Sequence, residues 1–256
     1  MRCAVVGHNE WTEFVLVDAL PGAGEIAHGR SAWAGPAGGG SVMAVQLARL
    51  AGECDYFTAF GDDELGRSSA VELAELGVTV HPQWFGSTRR AFTLVEPSGE
   101  RTITTIGPKL RPRGRLPLEG YDAIFFVAGE PEALRSARAA RFLAATPREV
   151  PTLVEGAVRL DLLVGSGTDP GERYNGGLDV DLVVRTEGAR GGWVGERRYE
   201  PAPLSSPAVD AYGAGDTFGA TLCFALARGD ELDEALAYAA REAAEVVGVR
   251  GPYRER

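Results

Sequence analysis

The chain has 256 residues, 45% of them apolar and 24% charged, and carries a formal net charge of −10. Such a length holds one large α/β domain with an ample core, and the acidic balance argues against duplex nucleic acid or an anionic membrane surface as the main partner, because both recruit basic faces. Cys3, Cys54 and Cys223 are scattered, as are His8, His28 and His81, which excludes a disulfide framework or a zinc-type cluster and fits a reducing cytoplasm.

The apolar run at residues 3–7 is too short for a secretion signal, and no stretch is long enough to span a membrane, so a cytoplasmic location is expected. Residues 3–7 read as a buried strand closed by Gly7, and 13–21 as a strand ending at Pro21. Residues 38–52 are a glycine-rich turn feeding a helix through Leu50. A strand at 55–61 precedes a helix at 62–77, with Asp62 or Asp63 near its cap. Segments 78–84, 89–97 and 100–107 are extended, and Ser98-Gly99 is a hairpin signal. A loop rich in Pro, Gly and Arg fills 111–120.

A strand at 121–129 leads into a predicted helix over 130–146, then predicted strands at 150–156 and 160–167. Residues 179–201 hold a strand, a turn and a hairpin. Two helices, Ala214–Arg228 and Leu232–Val247, close the pattern. Strands alternating with helices imply an α/β fold with a central, mostly parallel sheet covered on both faces. Extended segments within about 8–35 and 88–106 are not separated by helices of their own and suggest a small antiparallel lid. The whole, 1–256, reads as a single domain.

The stretch 209–229, VDAYGAGDTFGATLCFALARG, carries the strongest chemical signal. Apolar residues at helical spacing follow Phe218, and Gly213, Ala214 and Gly215 lie at the helix start. Free amides there attract an anion, and small residues let it come close. Asp216 beside them is either a helix cap or a reacting acid. The helix start should favour its ionised form and lower its pKa.

"VDAYGAGDTF" resembles the C-terminal motif of the ribokinase-like (PfkB) carbohydrate kinases, with Asp210, Gly213, Ala214, Gly215, Asp216 and Phe218 matching and Ala211 in place of a Thr. "VVRTEGARGG" is similar to the family's nucleotide-lining turn, through Thr186, Gly188 and Gly191. "PAGGGSVMAVQLARLAG" and "TAFGDDELG" resemble its N-terminal blocks, with Gly38, Gly61, Asp63 and Gly66 in place. Departures fall on the acceptor side: Val42 stands for an Asn, and Glu10 and Thr12 stand for Asn and Asp. The usual N-x-x-E block is degenerate, with Ser166 and Asp169 at its places.

The resemblance implies ATP-dependent phosphorylation of a hydroxyl on a sugar or sugar-like molecule. In that reading Asp216 is the base, and Gly213, Ala214 and Gly215 hold the transferring group. Thr186, Gly188 and Gly191 meet ATP. Glu10, Thr12, Gly38 and Gly39 face the acceptor. Asp169 would serve hydrated Mg²⁺, and Asp210 would order a monovalent cation such as K⁺. A nucleoside kinase on the same fold and a non-catalytic sugar- or nucleotide-binding relative are the alternatives. The changed acceptor residues make ribose an expected poor substrate, and a homodimer through the lid is the expected assembly.

Overall fold

The computed structural model describes residues 1–253. Strand β1 (Cys3–His8) is buried along its whole length, and its residues alternate between two cores. Cys3 and Val5 join one, Ala4 and Val6 the other, as a period of two requires of a strand covered on both faces. Strand β2 (Glu10–Leu16) and β3 (Ser31–Ala37) follow, then helix α1 (Gly39–Ala51), β4 (Cys54–Phe60), α2 (Glu64–Glu75) and β5 (Val78–Trp84). Next come β6 (Arg90–Val95), β7 (Arg101–Ile106), β8 (Ala123–Phe126), α3 (Pro131–Ala137), β9 (Phe142–Ala145) and α4 (Val150–Gly156). The last elements are β10 (Leu160–Ser166), β11 (Val180–Thr186), β12 (Gly192–Val194), β13 (Arg197–Tyr199), α5 (Ala214–Arg228) and α6 (Leu232–Val247).

Among the described residues, nine strands form the central sheet in the order β13-β12-β11-β10-β9-β8-β1-β4-β5. It is parallel from β5 to β11, and β12 and β13 add an antiparallel hairpin at one edge. One face packs on α1, α5 and α6 through Met43, Leu47, Phe218, Leu222 and Leu236. The other packs on α3 and α4 through Leu134 and Leu153. A second sheet, ordered β3-β2-β6-β7, joins two antiparallel pairs through a parallel β2–β6 contact. Phe14, Ala37, Val42, Val95 and Tyr212 make its small core against the main body.

Three elements differ from the sequence reading. The helix expected over 130–146 stops at Ala137, and Phe142–Ala145 is a strand. Its Leu143, Ala144 and Ala145 are fully buried between β8 and β10, and that burial overrides the helical propensity of an Ala-rich run. Residues 150–156 form a helix with Pro151 in its first turn, where a missing N–H costs nothing. The early strand starts at Glu10 and ends at Leu16, and Ser31–Ala37 pairs beside it as an edge strand, the position that tolerates Pro36. At α2 the cap is Asp63: its carboxylate accepts from the Gly66 amide at 2.9 Å and the Thr88 amide at 2.7 Å.

Candidate active site

The parallel strands of the main sheet end on one side, where helix starts and loops gather, as open α/β sheets arrange their ligand crevices. A cleft of about 950 Å³ lies there. Its floor comes from the ends of β1, β9, β10 and β11 and the start of α5, and its roof from β7. Arg101, Ile103 and Thr105 line it from alternate positions of β7, the spacing that puts them on one face.

Helix α5 begins without a side-chain cap, and Gly213 precedes it at φ 80°, a left-handed conformation that glycine adopts without strain. The first-turn amides are therefore left for a ligand. A Cβ on Gly215 would meet nothing within 4 Å, so the backbone there opens on the cleft. Asp216, in the same turn, is half-buried on the floor. Gly39, the first residue of α1, packs against it so closely that a Cβ would fall 2.8 Å from Asp216 Oδ1. Burial and the nearby Glu172 and Glu10 carboxylates push the Asp216 acid up to about 7, against the opposing pull of Arg101 and Arg148. The lowering expected from the helix start is outweighed: desolvation dominates.

Glu10 opens β2 and is buried. Burial alone would raise its pKa, but His8, Arg89 and Lys109 outweigh it and hold the carboxyl below its ordinary range. Arg89 Nε lies 3.0 Å from Glu10 Oε1, and His8 Nε2 lies 3.6 Å from the same oxygen. Burial lowers His8, which keeps the imidazole neutral. Arg89 Nη2 donates to Thr105 Oγ1 at 2.8 Å, tying the acceptor end of the floor to the roof. Lys109 Nζ lies 3.1 Å from the buried Glu149 carboxylate. Tyr212 O–H accepts from the Gly38 amide at 3.1 Å.

At the other end, Arg148 bridges two acids. Its Nη2 donates to Asp169 Oδ2 at 2.6 Å and to Glu172 Oε1 at 2.8 Å. Asp169 Oδ1 accepts from the Gly171 amide at 2.7 Å, and Glu172 Oε2 from the Ser166 amide at 2.5 Å. Burial would raise Asp169, but Arg148 and the Gly171 amide lower it. Among the described residues no three His, Cys, Asp or Glu side chains gather as a metal site. All four oxygens of the two acids already carry a hydrogen bond, so a hydrated metal ion at Asp169 would have to share that carboxylate with Arg148.

The cleft thus brings together Glu10, Gly38, Gly39, Asp169, Thr186, Gly213, Gly215 and Asp216. The other sequence-derived candidates lie outside its lining. Thr12 is fully buried in β2, within the second sheet. Ala214 is the first residue of α5, and Gly188 sits in the turn after β11. A Cβ on Gly191 would overlap the Tyr199 carbonyl, so this glycine serves the close crossing of the edge hairpin. Asp210 is fully buried and spends its oxygens on the Tyr212 amide at 2.9 Å and the Gly251 amide at 3.1 Å, fixing the loop that presents α5. Val42 packs in the small core with Tyr212 and does not reach the cleft. Sequence reasoning missed His8, Arg89, Arg101, Lys109, Arg148 and Glu172; the only trace was the density of Arg in 89–90 and 111–115.

Comparison with known proteins agrees in order along the chain. The family model described as pfkB family carbohydrate kinase matches residues 2–128 and 174–255. The bifunctional protein HldE of Azotobacter vinelandii is 28% identical over 248 residues, 84% of this chain and 52% of that protein. The chain therefore spans about half the length of this curated relative. An adenosine kinase from Sinorhizobium meliloti shares the fold at a TM-score of 0.76 and 20% identity, over 99% of this chain and 95% of its own. A ribokinase of Arabidopsis thaliana, solved with ribose and ATP, does so at 0.71 and 21%, over 98% and 93%.

Proposed function

We propose, from the premise that this chain belongs to the pfkB family of carbohydrate kinases, that it transfers the terminal phosphoryl group of ATP to a hydroxyl of a sugar-like acceptor. One observation carries the reading: a carboxyl with its pKa near neutrality sits on the cleft floor in the first turn of an uncapped helix. An acid that titrates near the working pH is suited to general-base catalysis. Phosphoryl transfer asks mainly for positioning and charge stabilisation.

The acceptor hydroxyl is held against Asp216. As its oxygen bonds to the terminal phosphorus, the bond to the bridging oxygen of ATP breaks and ADP leaves. Asp216 takes the hydroxyl proton. The first-turn amides of α5 stabilise the charge spreading over the transferring group. Thr186, at the end of β11, lines the nucleotide end of the cleft. A magnesium ion, when bound, would be carried largely by the nucleotide phosphates and would neutralise their charge, since Asp169 and Glu172 are paired with Arg148. Asp210 is committed to backbone amides, so a potassium ion nearby would need other ligands.

The acceptor end supports a sugar over a nucleoside. Among the described lining residues Tyr212 is the one Phe, Tyr or Trp, and its hydroxyl is taken by Gly38, so no aromatic pair brackets a base. A merely binding relative has no use for a base poised in this way. Release of ADP, followed by a coupled assay over sugars, sugar acids, sugar phosphates and nucleosides, tests the reading. One acceptor should draw stoichiometric ADP release; ATP binding with no acceptor turned over would overturn it. Assembly belongs to the same proposal: β7 is a free edge with Ile103 and Ile106 exposed, which suits pairing with a second copy, and sedimentation should then give a dimer.

A further inference from the structure

The charges around the cleft are not spread evenly. At the nucleotide end Arg148 faces two carboxylates, Asp169 and Glu172. At the acceptor end the balance reverses. Arg89, Arg101 and Lys109 line the cleft, and Arg111 shares the Glu149 carboxylate with Lys109 from behind. Against these four cations stand Glu10 and Glu149, with the Asp216 carboxyl on the floor as the third acid, while His8 is neutral. Arg101 has no carboxylate partner among the described residues; its guanidinium lies 5.6 Å from the Tyr212 ring centre, over the residue that holds Gly38. A chain of net charge −10 thus keeps an excess of positive charge at one end of its cleft.

A neutral sugar needs no such excess. Its hydroxyls are satisfied by one carboxylate and a few donors, which Glu10, Arg89 and Thr105 already supply. Holding like charges together in a partly enclosed cleft is unfavourable unless an anion joins them. Guanidinium and ammonium groups recognise phosphate and carboxylate through charge-assisted hydrogen bonds.

Resting on the kinase reading, we propose that the acceptor is an anionic sugar, one that already bears a phosphate ester or a carboxylate away from the reacting hydroxyl, and that Arg101 and Lys109, beside Arg89, hold that group. The anion stays unreacted, anchoring the sugar while the hydroxyl at the other end faces Asp216. Arg101 comes from the roof and Lys109 from the loop behind it, so an anionic acceptor also draws the second sheet onto the cleft.

The test compares matched acceptors on the intact chain: neutral sugars, their phosphate esters and their sugar acids, each by ADP release. Arg101→Gln and Lys109→Met are measured on the same panel, with circular dichroism confirming that each is folded. An anionic acceptor should exceed its neutral parent in kcat/KM by about 10- to 100-fold, the scale of one or two charge-assisted bonds. Each variant should lose most of that preference, chiefly through KM for the anionic acceptor. The phosphate and carboxylate arms identify which anion is meant. Neutral sugars or nucleosides turned over as well as anionic ones would overturn the proposal and leave the kinase reading standing. Arg101→Gln depressing kcat alike for every acceptor, at a pH well above the limb set by Asp216 where the lost pull of Arg101 on that acid no longer matters, would also overturn it, assigning Arg101 to the transferring group. ATP binding with no acceptor turned over would sink both.

Discussion

At the scale of single residues, Asp216 carries the most. Its place at a helix start suggests a depressed pKa, yet burial and two neighbouring acids hold it near 7. A general base must be ionised to act. kcat/KM should therefore rise with pH through about 7 and level above it, as the free protein's base titrates. Glu172 and Glu10 raise this group while Arg101 and Arg148 lower it, so Glu172→Gln should shift the limb to lower pH. Asp216→Asn keeps the shape and removes the proton acceptor, and kcat should fall by about 10²-fold or more, with the KM for ATP little changed. Steady-state kinetics against pH check both; a flat profile with parental turnover in the Asn variant would return Asp216 to the role of a cap. Gly39 tests the same residue from outside. An added Cβ would lie 2.8 Å from Asp216 Oδ1, in the way of the carboxyl. Gly39→Ala should fold, since the position is helical, but lose kcat by about 10-fold or more through a misplaced base. Parental kcat in the folded variant would show that Asp216 has room to spare.

At the scale of elements, the bridge from Arg148 to Asp169 and Glu172 joins the short turn after β9 to the one after β10. The family resemblance marks Asp169 as a candidate for magnesium, but Arg148 already pairs with it. Asp169→Ala should leave the magnesium concentration for half-maximal activity within about twofold of the parent, since the nucleotide carries the ion. A several-fold rise would restore Asp169 as a metal residue. The reason for the mismatch is physical: Arg148 lies 21 residues before Asp169, and a pair formed across two strand ends leaves no local pattern. The same limit runs through the chain. The start of α5 is legible, because Gly-Ala-Gly, the acid and the helical apolar spacing all lie within one short stretch. The strand at Phe142–Ala145 is not, because its Ala-rich sequence favours a helix and only the slot between β8 and β10 decides otherwise. The cations of the cleft are equally hidden, since Arg89, Arg101 and Lys109 come from a strand entry, a strand and a loop that meet only in the folded chain.

At the scale of the whole molecule, the site has a cost in stability that depends on pH. In the unfolded chain Asp216 titrates near 3.8, and in the fold near 7. Between these values the folded protein holds a proton that the unfolded chain has released, so this residue's contribution to stability falls as pH rises through the window. It is fully present below about 4 and fully lost above about 7. A shift of this size corresponds to a few kcal/mol at most, since the carboxyl still meets water in the cleft. Asp216→Asn does not titrate. It should therefore be close to the parent in stability at pH 4, and progressively more stable than it as the pH is raised to 8. His8, lowered by burial, makes the opposite contribution, with stability lost as pH falls, but it is common to both proteins and cancels in the difference. Urea unfolding of parent and variant at pH 4, 5, 6, 7 and 8 measures that difference directly. A gain that grows with pH is the expected outcome. A variant less stable than the parent at pH 8, or a difference independent of pH, would show that Asp216 is ionised at little cost and that the cleft does not strain the fold for the sake of its base.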